Sequence, residues 1–209
     1  MTRTVAYDVD RKPGAWVSEQ AANKVRSFAA LYALLVVAFL ASAVIWLVGH
    51  HVLAAVAYVA FLCFAYAAHS MADVALPWRK GARAEVAVGS ELEGLRIDGY
   101  RVMHDFMFGG EGNVDHLVCG PNGVFMVETK FRRYEEKQLG KAKNLARKLH
   151  DELGCWVTPV ICAGVRKKTY VHKGVLIAGR GNLAEAIRSH AAKKTVDPDR
   201  LARFADRLS

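Results

Sequence analysis

The chain has 209 residues, 53% of them hydrophobic, and carries 29 Lys and Arg against 20 Asp and Glu, a formal charge of +9. So apolar a sequence is not a disordered polar tail, and its length admits one domain, or a small domain with something appended. Cys63, Cys119, Cys155 and Cys162 show no CxxC or other zinc spacing, which argues against a zinc module and reads as reduced core or membrane residues.

The appended part comes first in the chain. After a polar N-terminal segment, 1–27, the stretches 28–48 and 52–72 contain no charged residue. Each is 21 residues long, enough to cross a hydrocarbon core of about 30 Å as a helix. Tyr32, Trp46 and Trp78 stand near the ends of these spans, where aromatic side chains anchor at the interface. A cleaved signal peptide is a poor fit, because a polar lead of 27 residues far exceeds a normal n-region. The connector Gly49-His50-His51 lacks Lys and Arg, whereas Lys24, Arg26, Arg79, Lys80 and Arg83 flank the spans on the other side. The positive-inside rule therefore predicts a two-helix transmembrane hairpin in the cell membrane, with both termini cytoplasmic. Ala38, Ala41 and Ser42 could support a homo-oligomer contact, though small residues are equally ordinary facing lipid.

The remainder, 79–209, carries 24 Lys and Arg against 16 Asp and Glu, a net of +8. That balance suits a polyanion, nucleic acid or the anionic inner leaflet, or merely a solvated face. In chain order the pattern predicts a helix over 80–95, with Glu85, Val88, Gly89, Leu92 and Leu95 on one stripe. A strand over 100–106 and a loop at 109–112 follow, then a β-hairpin from Val114 to Cys119 and from Val124 to Thr129 around Gly120-Pro121-Asn122-Gly123. A helix over 135–153 should bury Leu139, Ala142, Ala146, Leu149 and Leu153 and turn Lys137, Lys141, Arg147 and Lys148 outward, with Gly154 at its end. A buried strand over 156–163, the basic loop Arg166-Lys167-Lys168, a strand over 171–178 and helices over 183–192 and 199–208 complete a mixed α/β domain. Gly179-Arg180-Gly181-Asn182 reads as a turn.

The chemistry gathers on the hairpin. If Cys119 faces Val124, Asp115 falls opposite Glu128, and Lys130 shares the face of Glu128 because strand side chains alternate. Opposed side chains stand about 5 Å apart and like charges there repel. Two carboxylates and a lysine thus converge beside Leu117, Cys119, Val124 and Met126, and a shared divalent cation is the simplest relief. The plainer alternative is a pair of surface carboxylates at a hairpin mouth, one of them bridged by Lys130. His116, on the opposite face from Asp115, reads as a packing residue.

An Asp followed one hairpin later by Glu-x-Lys resembles the restriction-endonuclease-like, PD-(D/E)xK, superfamily. More narrowly, the chain resembles the nuclease-related domain (NERD) family. The resemblance rests on Gly81-Ala82-Arg83-Ala84-Glu85-Val86, Val114-Asp115-His116-Leu117-Val118, Gly123 through Lys130, and Val157-Thr158-Pro159-Val160-Ile161, a core of about 81–187. It implies a mixed central sheet flanked by helices, and a Mg²⁺- or Mn²⁺-dependent nuclease. Asp115, Glu128 and Lys130 would be catalytic, and Asp115, Glu128 and Glu85 would hold the metal. Gln138 and Lys141 are the candidates for the family's later glutamine. Lys137, Lys141, Lys148, Arg166, Lys167 and Lys168 would grip the backbone of nucleic acid, DNA foremost. The expected function is phosphodiester hydrolysis at the cytoplasmic membrane face. The alternative is a tethered module that binds nucleic acid or anionic lipid without cutting.

Overall fold

In a computed structural model the chain is described over residues 12–108, 112–164 and 168–191. It divides into two units, one of Val17–Lys80 and one of Met1–Trp16 with Gly81–Ser209.

The first unit is built from helix α1 (Ala15–Leu47) and the larger part of helix α2 (His51–Glu93). Within them, Arg26–Leu47 and His51–Ser70 are long and apolar enough to cross a membrane, with mean hydropathies of 2.6 and 2.0. Leu34, Val37, Leu40, Leu53 and Tyr66 point outward, while Leu35, Ser42, Ala54 and Ala68 are buried. Large apolar groups outside and small ones inside invert the pattern of a helix pair made for water. The helices run antiparallel, with ring pairs Trp46–His51 at 4.6 Å and Phe39–Phe61 at 5.4 Å. Ser42 belongs to the buried seam and its Oγ donates to the Phe39 carbonyl, at 2.8 Å.

One expected boundary is absent. The helix predicted to begin at Lys80 is the last part of α2, which runs to Glu93 without a linker and passes into a 3₁₀ turn over Gly94–Asp98. Pro77 lies inside this run, and the helix continues through it although proline removes one backbone donor.

The second unit is mixed α/β, a six-stranded mixed sheet flanked by helices. Its strands are β1 (Arg101–Phe108), β2 (Gly112–Gly120), β3 (Gly123–Lys130), β4 (Val157–Ala163), β5 (Tyr170–His172) and β6 (Val175–Ala178), in the spatial order β1-β2-β3-β4-β6-β5. The pairs β3–β4 and β4–β6 are parallel and the others antiparallel. Helix α3 (Glu136–Leu153) connects β3 to β4 and packs Leu139, Ala142, Ala146 and Leu149 against Leu117, Met126 and Ile161. The other face is covered by Val88, Leu92 and Leu95 and by helix α4 (Leu183–Ser189), which meet Val118, Phe125, Val127 and Val160. Each fully buried Leu or Phe in these layers contributes roughly 1.5–3 kcal/mol. The hairpin is therefore central and covered on both sides, as its two apolar faces predict. Val114 joins the α3 side.

The strand expected over 171–178 is a hairpin. Lys173 and Gly174 both have positive φ, 48° and 80°, the signature of a two-residue turn with matched twist. Helix α4 stops at Ser189 rather than Ala192, where the Asn122 amide donates to the carbonyls of Ile187 (2.5 Å) and His190 (3.1 Å). Gly179–Asn182 is the turn expected, closed by Asn182 N–H to the Gly179 carbonyl at 3.2 Å. The helix expected over 199–208 lies outside the described residues.

Candidate active site

The hairpin register agrees with the sequence: Cys119 faces Val124, Leu117 faces Met126 and His116 faces Val127. Pairing ends there, while β3 continues beside β4 as far as Lys130 against Ala163. Asp115 and Glu128 thus sit where β2 and β3 part. The strand edge opened by this divergence is met by Asp115 itself, whose Oδ2 accepts the Thr129 N–H at 2.6 Å. The far end of β3 is pinned by Gly164, whose N–H donates to the Lys130 carbonyl at 3.0 Å. A Cβ on Gly164 would lie 2.6 Å from the Phe131 carbonyl oxygen, so that approach requires glycine.

Glu85 arrives from α2, buried at 8% exposure with Oε2 lacking any hydrogen-bond partner. Lys130 Nζ donates to Glu128 Oε1 at 2.5 Å, and both side chains keep about a quarter of their exposure, 23% and 27%. Burial, then the charges of Asp105 and Glu128, pushes Glu85 up to about 7. Burial, then Glu128 and Glu85, raises Asp115 well above the usual carboxylate range, although the residue as a whole keeps some solvent exposure. Burial pulls Lys130 down, but Glu128 first, then Asp115 and Glu85, more than offset it and leave it above its ordinary value. The ammonium is thus held charged inside an acidic cluster.

A fourth carboxylate was not foreseen. Asp105 is buried at 1% in β1, on the register line that sets Arg101 against Cys119 and Phe106 against Val114, hence across from Asp115. Asn113 Nδ2 donates to its Oδ1 at 3.1 Å. Its φ of 49° is a left-handed conformation that Asp tolerates better than most residues and that concentrates at functional sites. An Asp set among Val102, Met103, Phe106, Met107 and Phe108 was the signal available.

A cavity of about 480 Å³ opens beside the cluster, walled by Glu128, Lys130, Lys137, Gln138, Lys141 and Lys148 among others. Gln138 does double duty: its Oε1 accepts the Glu135 N–H at 2.9 Å and so caps α3, while the residue also lines the cavity beside Lys141. Lys137 is bridged to Glu135 at 2.6 Å on the exposed surface. Lys168 is exposed ahead of β5 and is not in the cavity wall; Arg166 and Lys167 lie outside the described residues.

Oxygen donors, a buried carboxylate atom without a partner and an excess of negative charge are the chemistry of a hard divalent cation. Among the described residues, however, no three His, Cys, Asp or Glu side chains are gathered as a ready cage, and Lys130 neutralises Glu128 directly. The residues fit a cation that would draw in Glu85, Asp115 and Glu128.

On the reverse side of β2, His116 is fully buried, its Nδ1 2.8 Å from His104 Nδ1. His104 Nε2 donates to Glu93 Oε1 at 2.7 Å. With His104 neutral, its Nδ1 accepts, so His116 donates through Nδ1 and its Nε2 is left unpartnered. Burial, then His104, drives His116 down to about 3. This is a packed pair, as expected for His116. Burial also lifts Cys119 and Cys162 up to about 12, the state of inert core thiols.

The fold is a mixed sheet flanked by helices, with an Asp and a Glu-x-Lys brought together by a central hairpin. Residues 80–164 match the family model described as Nuclease-related domain. The matched stretch holds Glu85, Asp105, Asp115, Glu128, Lys130 and all of α3. No match was found among curated proteins or among solved structures.

Proposed function

We propose that the chain is a membrane-anchored nuclease that hydrolyses phosphodiester bonds with the help of Mg²⁺ or Mn²⁺. Its domain would work at the cytoplasmic face of the cell membrane, with both termini inside, as the Lys and Arg flanking the spans favour. The observation that carries this reading is the convergence of Glu85, Asp115, Glu128 and Lys130 beside a cavity otherwise rich in lysine. Acid groups for a cation and basic groups for a phosphate backbone lie side by side.

Asp115, Glu128 and Glu85 would hold the ion, and the Asp115 carboxylate is already oriented by the Thr129 N–H. When bound, the ion supplies a water of lowered pKa and neutralises charge developing at phosphorus. Lys130, kept protonated by its acidic neighbours, would point a positive charge at the pentacovalent phosphorus or orient the attacking water. Lys137, Lys141 and Lys148 would hold the strand's phosphates with little sequence preference. The test is incubation of the full chain, in mild detergent, with single- and double-stranded DNA and RNA with and without Mg²⁺ or Mn²⁺. Metal-dependent cleavage that Asp115→Ala removes is expected. Cleavage that survives Asp115→Ala would discard the site.

A second reading has one observation in its favour, the direct Lys130–Glu128 ion pair, which satisfies the site without a metal. The domain would then be a tethered module that binds nucleic acid or anionic lipid without cutting. Its mark would be binding indifferent both to divalent metal and to Asp115→Ala.

A further inference from the structure

Helix α3 has a second basic edge. Away from the acidic cluster, a groove of about 290 Å³ lies between α3 and the start of β4, lined by Lys143, Arg147, His150, Trp156, Pro159 and Gly174 among others. Among the described residues no Asp or Glu lines it. Trp156 stands 40% exposed in this groove, a large aromatic surface left partly in water. Its position is fixed from below. Gly154 turns the chain out of α3 at φ 64°, and His150 Nδ1 donates to the Cys155 carbonyl at 2.7 Å. The His150 ring lies 6.0 Å from the indole at 57°. Opposite, Gly174 presents no side chain, and a Cβ there would meet nothing within 4 Å. The volume sits at the low end of the roughly 300–1,000 Å³ of small-ligand sites. That suits one flat ring rather than a larger ligand.

Lys143 and Arg147 are four residues apart, on one face of α3, and both are exposed. Lys141 and Lys148, on the adjoining face, line the cavity of the acidic cluster. From Lys141 to Arg147 is a rise of about 9 Å along the helix. A phosphate chain lying on α3 would thus meet cations from one depression to the other. An exposed aromatic beside cations is the arrangement that stacks an unpaired base while its phosphates are held by charge.

We propose that the Trp156 groove is a nucleobase-stacking subsite, which receives an unpaired base of a nucleic-acid strand running over α3 from the acidic cluster. This rests on the reading of nucleic acid as the partner and adds that the strand is unpaired where it crosses α3.

The test uses the full chain in phosphatidylcholine nanodiscs, with Trp16, Trp46 and Trp78 changed to Phe so that Trp156 is the sole emitter, and with EDTA so that nothing is cut. A single-stranded oligonucleotide should quench Trp156, and a blunt duplex of equal length should not. By anisotropy of labelled oligonucleotide, Trp156→Ala should weaken single-strand binding roughly 5- to 150-fold and leave blunt-duplex binding unchanged. Trp156→Tyr, which keeps both a stacking ring and the local packing, should retain most of the affinity. Single-strand affinity equal in parent and Trp156→Ala overturns the subsite while leaving the nucleic-acid reading intact. Absence of binding to any nucleic acid overturns both. A Trp156 spectral change on moving to phosphatidylserine discs, with no response to the oligonucleotide, overturns the subsite in favour of lipid. Cleavage of the blunt duplex with Mn²⁺, scored separately, reports on the nuclease alone.

Discussion

Replacing Glu85 by glutamine probes the carboxylate cluster with no cation present. Burial first, then Asp105 and Glu128, lifts Glu85 from 4.5 to about 7, so across that interval the folded chain keeps a proton that the unfolded chain has released. The folded state binds more protons there, and the stability contributed by Glu85 falls as pH rises from 4.5 through 7. The shift is worth about 3 kcal/mol once both forms are ionised. Glutamine has the shape of the protonated acid and never ionises. Glu85→Gln should therefore match the parent near pH ~4 and exceed it by up to about 3 kcal/mol near pH ~8. His116 titrates with the opposite sign. Its folded value of about 3 lies below 6.5, so its contribution is present above 6.5 and is lost as pH falls toward 3. Subtracting parent from variant at each pH removes that term. The assay is chemical denaturation of the full chain in detergent with EDTA, followed by Trp156 emission in a chain whose other tryptophans are phenylalanine. A second arm adds Mn²⁺ at about 100 times its Kd, which should stabilise the parent by about 2.7 kcal/mol and Glu85→Gln by less. A parent-to-variant difference that stays flat from acid to alkaline pH would mean that Glu85 is solvated and the cluster does not exist.

Lys130→Ala should lower cleavage by roughly 10²-fold or more without loss of Mn²⁺ affinity by calorimetry, since a protonated amine offers no lone pair and its removal frees Glu128; cleavage at the parent rate would remove the mechanism. Lys137→Ala with Lys141→Ala should weaken nucleic-acid binding and reduce the slope of log K against log salt by about 1–2, while turnover of bound substrate holds; an unchanged slope would take α3 out of the interface. A cysteine placed at Gly49 should react with an impermeant reagent from outside the cell, and reporters at either terminus should register as cytoplasmic; an externally accessible C-terminus would reverse the topology.

The hairpin could be read ahead of the structure because its turn sits between two glycines, so turn length pointed to one register. Glu85 was legible for a related reason: helical spacing ties it to Val88, Leu92 and Leu95, all of which are buried. Asp105 was not. Its place depends on how β1 pairs with β2, and a Gly-Gly-Glu-Gly connection has no side chain that selects a turn type. The β5–β6 turn was missed because Lys173, which has no special tolerance for positive φ, takes the first turn position beside Gly174. The Trp156 groove is tertiary. Its walls come from α3, β4 and the β5–β6 turn, and no local pattern joins them.

Counting charge at the cluster ties metal, proton and substrate together. Glu85, Asp105, Asp115 and Glu128 could carry four negative charges against the one positive charge of Lys130. In a half-buried setting a net of about −3 is hard to hold, because like charges at such spacing repel far more strongly than in bulk water. A proton on Glu85 reduces it by one, and a divalent cation reduces it by two. Proton and cation therefore compete for the same relief, and cation affinity should rise as pH climbs through about 7, where Glu85 gives up its proton. The same count bears on the phosphodiester. An anionic strand drawn to Lys137, Lys141 and Lys148 meets a wall of like charge at Glu128 and Asp115 until that wall is neutralised. In the proposed nuclease the basic helix can hold nucleic acid without metal, but the scissile phosphate cannot close on the carboxylates. Binding without metal and cutting only with it is the behaviour this distribution of charge requires, and a strand that bound no better to the metal-free chain than to one lacking Lys137 and Lys141 would contradict it.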